Sequence, residues 1–151
     1  MKTYYLTLSQ VFPVTHAKAG LPTNFELLFK EHKKLHTIRA NYDLWKKRFE
    51  KIAAGEAVLS IRQWVGKPYG KGSIQREIAR LTYKDGIGIQ KMLMIDKENF
   101  SIVFDTPFTT TVELKQLSEN DGLSFNDWRE WFKGYDLSKP LAIIHFSPFR
   151  Y

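Results

Sequence analysis

The sequence predicts one α+β domain over residues 1–151, built as a small β-barrel of mixed strands with about three helices packed beside it. Many short segments alternate apolar and polar residues, as half-buried strands do, and a few segments place apolar residues at helical spacing. The composition is 43% hydrophobic and 15% aromatic, which is enough apolar material for a core. No repeat or linker divides the chain, so a single domain is expected.

The predicted strands are short segments in which apolar residues recur at every second position. They cover residues 3–11, 35–40, 57–64, 77–83, 87–96, 100–104 and 141–146. The run Thr109–Thr111 is β-branched and also indicates a strand. Asp85 and Gly86 form a dipeptide typical of tight hairpin turns, so the segments on either side of it are predicted to pair with each other.

Three segments are predicted to be helices because their apolar residues recur three and four positions apart. They cover residues 24–33, 44–54 and 125–133. Thr23 and Glu26 have the spacing of a capping box at the first helix, and Ser124 and Asp127 have it at the third. Asp43 is the predicted N-cap of the second helix.

The chain contains no cysteine, which excludes disulfides, thiolate metal sites and a cysteine nucleophile. The first ten residues alternate in the manner of a strand and lack the apolar stretch of a signal peptide. No apolar run approaches the roughly 20 residues that a membrane helix needs. We therefore expect a cytoplasmic protein without a membrane span.

The positive charge is concentrated in one third of the chain. The formal net charge is +7, and residues 30–80 carry 13 Lys and Arg against 5 Asp and Glu, whereas the remainder carries 10 against 11. A positive surface attracts phosphate groups and polyanions. The same pattern also fits a solvated basic surface that keeps the protein soluble, and the sequence leaves both interpretations open.

The segment Lys34–Arg39 lies where the first predicted helix gives way to a strand, a position from which side chains can line a cleft. Lys34, His36, Thr37 and Arg39 together suit an anionic or base-like ligand, because lysine binds phosphate as a point charge and arginine binds it as a fork. In a regular strand, residues 34 and 37 would face opposite sides. They can share a site only if Lys34 precedes the strand.

The same segment resembles the ASCH motif of the PUA-like superfamily, roughly Gly-x-Lys-x-x-Glu/Thr-x-Arg after a helix, with His32 at the glycine position. The order of elements that follows is also similar to that of small bacterial amidohydrolases acting on N4-acetylcytidine. A basic helix ends at Gly55, a strand begins near Val58, and residues 112–124 lead into the last helix.

In those amidohydrolases a lysine, a threonine and a glutamate are thought to carry the reaction, so the resemblance implies roles for Lys34 and Thr37. The glutamate position falls near Asp121, and Glu119 and Glu113 are the alternatives. A threonine hydroxyl needs a base, and a lysine can be that base when burial lowers its pKa. The alternative is that Lys34 is an ordinary surface lysine and Thr37 an ordinary strand residue.

A glycine-rich segment, residues 66–72, does not have the spacing of a phosphate-binding P-loop and is predicted to be a flexible connection. It could also bind a ligand. Lys67 and Lys71 would then contact a phosphate backbone, while Tyr69 and the preceding Trp64 would stack on bases.

Two specific functions remain open at this stage, beside a protein-binding or purely accessory role. The first is binding of RNA or of one modified nucleotide in a basic cleft formed by Lys34, Thr37 and Arg39, with His36 as a further contact. The second is hydrolysis of an acylated nucleoside such as N4-acetylcytidine, which requires an acid beside Lys34. His32 and His36 are four residues apart but lack an acidic cluster nearby, so no metal or cofactor is predicted.

Overall fold

The computed structural model describes residues 1–151 and is an α+β protein with eight strands and four α-helices. The strands are β1 (Lys2–Thr7), β2 (His36–Arg39), β3 (Ala57–Val65), β4 (Ile74–Leu81), β5 (Gly88–Met94), β6 (Asn99–Val103), β7 (Thr109–Glu113) and β8 (Leu141–His145). The helices are α1 (Phe25–Lys30), α2 (Tyr42–Ala53), α3 (Leu114–Asn120) and α4 (Phe125–Phe132). A 3₁₀ turn covers Tyr83–Asp85.

The strands form two sheets. The smaller has the order β1-β3-β4, in which β1 and β3 are parallel and β3 and β4 antiparallel. The larger has the order β2-β8-β5-β6-β7 and is antiparallel throughout. The chain therefore crosses from one sheet to the other several times, so residues distant in sequence come to lie side by side.

Helix α2 packs against both sheets, contacting β3 on one side and β5 and β8 on the other. Its apolar stripe of Trp45, Phe49 and Ile52 is buried in the core. Each such side chain contributes roughly 1.5–3 kcal/mol by leaving water. The remaining face of the helix is polar. Because the apolar and polar faces are clearly divided, the periodicity of the sequence predicted α2 well.

The expected closed barrel is wrong, because the two sheets share no strand pairing. The predicted hairpin around Asp85 and Gly86 would have joined them, but β4 pairs with β3 whereas β5 pairs with β6 and β8. Thr82 and Asp85 instead cap the 3₁₀ turn reciprocally, and the Thr82 N–H donates to the Asp85 carboxylate at 2.7 Å. The chain then leaves the small sheet for the large one.

Two capping predictions are wrong and one is confirmed in part. The capping box predicted at α1 does not form, because the Thr23 N–H donates to the carbonyl of Gln10 at 3.0 Å and not to Glu26, while Thr23 Oγ1 accepts from the Phe25 N–H at 3.3 Å and not from that of Glu26. Asn41, not Asp43, caps α2 by accepting from the Leu44 N–H. Ser124 caps α4 as predicted, accepting from the backbone N–H of Asp127 at 3.1 Å, but the Asp127 carboxylate binds Lys18 at 2.8 Å and does not complete the predicted capping box.

Helix α3 has no counterpart among the three predicted helices, and it brings the number to four. The other predicted elements are present with shifted ends. The largest shift is in the first strand, which stops at Thr7 and not at residue 11. No helix in the molecule combines the length and apolar character needed to cross a bilayer.

Candidate functional site

A cavity of about 140 Å³ lies where β1, β2, α1 and the two C-terminal helices meet. Its polar lining comes from Ser9, Lys34, Thr37, Arg39 and Asp121. Its apolar lining is mostly aromatic and comes from Leu8, Phe25, Ile38, Leu123, Trp131, Phe132 and Tyr135. Such a mixture of apolar walls with a few converging polar groups is typical of a site for a small molecule.

Lys34 reaches this cavity because the chain turns sharply after α1. His32 adopts a left-handed backbone conformation with φ 58°, and the N–H groups of Lys33 and Lys34 both donate to the carbonyl of Leu28. Lys34 therefore precedes β2, which begins at His36. This is the arrangement that lets residues 34 and 37 share a site, and both side chains line the cavity.

Asp121 is the acid that contacts Lys34. The Nζ of Lys34 donates to the Asp121 carboxylate Oδ1 at 3.0 Å and to the Asp121 backbone carbonyl at 2.6 Å. Each residue is only 2% exposed, so Lys34 is not an ordinary surface lysine. The other acids considered, Glu113 and Glu119, have exposed side chains.

A glycine allows this close approach. Gly122 follows Asp121 at the end of α3 and has a left-handed φ of 79°. A Cβ at this position would lie 3.2 Å from Cβ of Lys34 and 3.3 Å from Cδ1 of Leu28. Gly122 thus lets the turn after α3 pack directly against Lys34.

Burial and charge act in opposite directions on the Lys34–Asp121 pair. Burial lowers the pKa of Lys34, and the neighbouring carboxylate of Asp121 offsets only part of that effect. Burial by itself would raise the pKa of Asp121, but Lys34 and His36 hold it below its usual value. Lys34 therefore releases its proton more readily than an exposed lysine, while Asp121 stays ionised.

Arg39 organises the other side of the cavity. Its Nη1 donates to Thr37 Oγ1 at 2.7 Å and to the carbonyl of Ile38 at 3.0 Å, and its Nη2 donates to the carbonyl of Thr7 at 2.7 Å. A guanidinium has five N–H donors, so two of those of Arg39 make no hydrogen bond within the protein. Because Thr37 accepts from Arg39, its own hydroxyl proton is free to be donated, and the adjacent positive charge favours loss of that proton.

His36 lies behind the carboxylate and does not line the cavity. Its ring is fully buried, with Nδ1 3.5 Å from Asp121 Oδ1 and Nε2 2.6 Å from the hydroxyl of Tyr151. Burial lowers the pKa of His36, so the ring is neutral near pH 7. The structure thus places His36 next to Asp121 and not where a ligand would touch it.

The glycine-rich segment forms a separate surface. Trp64, Lys67, Tyr69 and Lys71 lie at the end of β3 or in the β3–β4 loop, residues 66–73, and none of them lines the cavity. The Trp64 and Tyr69 ring centroids are 4.9 Å apart, and Tyr69 is 88% exposed. The predicted site residues therefore divide into a buried group and an exposed group.

Several residues around the cavity were not identified from the sequence. Trp131 and Tyr135 form part of its wall, and Tyr151 and Asn120 lie behind it. In the sequence, Trp131 was recognisable only as part of the apolar face of a helix. Tyr151 contacts His36, 115 positions away in the sequence, so no local pattern could have revealed it.

Comparison of the chain with protein-family models, with curated proteins and with solved structures returns no match. The molecule also contains no group of three or more His, Asp or Glu side chains arranged to hold a metal ion. The chemistry that the described cavity can perform must therefore be read from its own side chains. It offers a buried amine, a carboxylate, a hydroxyl and a guanidinium in one partly apolar space.

Proposed function

We propose that the cavity is the active site of a small amidohydrolase that removes an acyl group from an acylated base, such as that of N4-acetylcytidine. The observation that carries this proposal is the contact between the buried Lys34 amine and the Asp121 carboxylate beside Thr37. A buried lysine whose pKa is lowered can act as a base, and a hydroxyl beside it can act as a nucleophile.

The size of the cavity supports a small ligand. An engineered protein cavity of about 150 Å³ accommodates benzene, and the cavity here is of about 140 Å³. It therefore has room for about one six-membered ring, and it is too small for a polynucleotide. The aromatic walls formed by Phe25 and Trp131 would pack on such a ring.

The reaction that fits these groups begins at Thr37. In molecules in which Lys34 has lost its proton, a form that its lowered pKa favours, Oγ1 attacks the acyl carbonyl carbon and its proton passes to Lys34. The free N–H donors of Arg39 stabilise the oxyanion. The C–N bond then breaks, and Lys34 returns the proton to the leaving amine nitrogen. Water hydrolyses the acyl-threonine ester, which releases the carboxylic acid and restores the hydroxyl.

Kinship with the ASCH family is part of the same proposal. It is supported by the finding that Lys34, Thr37 and Arg39, the residues matching the motif, line one cavity together. The barrel is the part of the resemblance that this fold does not reproduce, because its two sheets stay separate. A cytoplasmic location, where nucleosides are turned over, goes with this function.

The decisive test is a deacetylation assay with N4-acetylcytidine, following the release of cytidine and acetate. We expect turnover by the wild type and none by Lys34→Met. Lys33→Met is the matched control, because the Lys33 side chain is 68% exposed, and it should retain full activity. Thr37→Ser should keep part of the turnover, whereas Thr37→Val should lose at least about 100-fold, since it lacks the nucleophile.

Melting curves of each variant separate loss of chemistry from loss of folding. If the wild type fails to hydrolyse N4-acetylcytidine and other N-acyl nucleosides, the amidohydrolase proposal is wrong. Turnover that survives in folded Lys34→Met would remove Lys34 from the role of base.

Binding of single-stranded RNA is a second candidate function, and the exposed surface favours it. The Trp64–Tyr69 pair lies next to Lys67 and Lys71, and on the same small sheet the Arg62 guanidinium lies 4.2 Å from the ring centroid of Tyr5. Aromatic rings beside basic side chains suit a flexible nucleic acid strand. Titration with oligouridine at several salt concentrations tests this candidate, which fails if the affinity is absent or does not depend on salt.

A further inference from the structure

Behind the cavity, the side chain of Tyr151 is held in place by polar contacts on several sides. Its hydroxyl lies 2.6 Å from His36 Nε2 and accepts from Asn120 Nδ2 at 3.0 Å. Its backbone N–H donates to Gln90 Oε1 at 3.0 Å, and its backbone carbonyl accepts from Gln90 Nε2 at 3.2 Å. The phenol is therefore fixed in both position and direction relative to His36.

His36 connects this phenol to the cavity. Its ring is 0% exposed, with Nε2 facing Tyr151 and Nδ1 facing Asp121 Oδ1 at 3.5 Å. Nδ1 makes no hydrogen bond that meets normal geometric limits, so its contact with the Asp121 carboxylate at 3.5 Å is a long one, made through charge. The ring thus separates two oxygen atoms, and the position of its single proton decides which contact is attractive.

The hydrogen-bond pattern determines which ring nitrogen of His36 carries the proton. Tyr151 already accepts a hydrogen bond from Asn120, so its own O–H can donate to Nε2 of a neutral ring. The ring proton then lies on Nδ1, directed at the Asp121 carboxylate. With the proton on Nε2, the Nδ1 lone pair would instead face an anionic oxygen in a buried environment, which is repulsive.

We infer that Tyr151 is a positioning residue. By donating to Nε2 it holds His36 with its proton on Nδ1 and its ring directed at Asp121, and this contact orients the carboxylate that holds Lys34. The consequence for turnover rests on the proposed amidohydrolase function, whereas the arrangement of protons does not.

The neighbouring histidine provides an internal reference. His145 is also fully buried, but its Nε2 lies 2.9 Å from Gln90 Oε1. That oxygen is an acceptor, because it also receives the Tyr151 backbone N–H. His145 must therefore carry its proton on Nε2, so the two buried rings are expected in opposite tautomers.

Nitrogen-15 NMR of the histidine rings tests the inference without any substrate. In the wild type, His36 should show a protonated Nδ1 and an unprotonated Nε2, and His145 should show the reverse. In Tyr151→Phe, the Nε2 signal of His36 should shift, because Nε2 loses its hydrogen-bond donor and Asp121 alone then favours the proton on Nδ1. A wild-type His36 with its proton on Nε2, or on both nitrogens, overturns the inference, as does an unchanged His36 spectrum in Tyr151→Phe.

Kinetics tests the consequence for catalysis. Tyr151→Phe should lower kcat roughly 10-fold, in the range seen when supporting hydrogen bonds to reactive groups are lost. KM should stay nearly constant, because Tyr151 does not line the cavity. Tyr83→Phe removes an exposed phenol hydroxyl outside the cavity and should leave both constants unchanged.

Substitution of His36 separates a positioning role from simple packing. His36→Asn retains an N–H near the Nδ1 position and should keep more turnover than the apolar variant His36→Leu. Equal activity of these two variants, or an unchanged kcat in Tyr151→Phe, overturns the inference. If the wild type shows no turnover at all, the amidohydrolase proposal fails, and the NMR result still decides the role of Tyr151.

Discussion

Two groups of lysines in this protein lie near aromatic rings but in opposite environments. Lys34 lies 2% exposed against a carboxylate, with its Nζ 4.0 Å from the ring centroid of Phe25. Lys67 and Lys71 lie in an exposed loop beside Tyr69. Each group combines lysine with an aromatic ring, but only Lys34 is buried, and burial lowers its pKa. Burial therefore distinguishes a lysine suited to proton transfer from lysines suited to attracting phosphates.

The largest expected effect is the loss of stability when the buried Lys34 loses its charged partner. Asp121→Asn leaves the buried Lys34 ammonium without its counterion, and breaking such a pair costs about 3–5 kcal/mol. Glu119→Gln, an exposed change at the end of the same helix, should alter the free energy of unfolding by less than about 0.5 kcal/mol. Urea denaturation of both variants measures the difference.

A double variant tests whether this loss of stability comes from the unpaired buried charge. Lys34→Met combined with Asp121→Leu removes both charges, and replacing a whole buried pair with apolar groups is often neutral or stabilising. We therefore expect the double variant to unfold at a higher urea concentration than Asp121→Asn, although it should be inactive. Equal stability of Asp121→Asn and the wild type would show that the buried ion pair does not stabilise the fold.

The elements that the sequence predicted well are those whose signals are local. The stripe of Trp45, Phe49 and Ile52 determines α2 because one helix face meets two sheets. The hairpin prediction failed because Asp85 has two competing local uses. It suits a hairpin turn, but Thr82 three residues earlier recruits its carboxylate as a cap.

The same distinction between local and long-range signals applies to the residues in and behind the cavity. The spacing of Lys34, Thr37 and Arg39 is local, and the turn after α1 brings all three to one cavity. Asp121 was predicted through the resemblance, since 87 positions separate it from Lys34. Tyr151 was not predicted, because its contact with His36 depends on packing between distant segments.

A smaller effect is expected in the dependence of stability on pH. The pKa of Asp121 in the folded protein lies below its ordinary value of 3.8. Its stabilising contribution is therefore complete above about pH 4 and is lost as the pH falls through the folded pKa. Each unit of pKa difference is worth about 1.4 kcal/mol.

Thermal melting between about pH 6 and pH 3 should show the gap between the wild type and Asp121→Asn narrowing with acidification. Glu26, which pairs with Arg76 and Lys30, has its pKa lowered from 4.5 to about 2, so its contribution to stability also falls as the pH drops below about 4.5. Glu26→Gln is therefore the control, and combining it with Asp121→Asn separates the two contributions. A gap that stays constant with pH would show that the pKa of Asp121 is the same in the folded and unfolded states.

The smallest expected effect concerns the exposed loop. If Lys67 and Lys71 contact phosphates, Lys67→Ala/Lys71→Ala should reduce the slope of log K against log salt by about 0.7 for each lost contact. Turnover of a free nucleoside should stay unchanged, because neither lysine lines the cavity. Lys46→Ala/Lys47→Ala removes the same charge from the exposed face of α2 and is the matched control. An equal loss of slope in both double variants would mean that net charge attracts the RNA, whereas a loss confined to the loop variant would assign RNA binding to the β3–β4 loop.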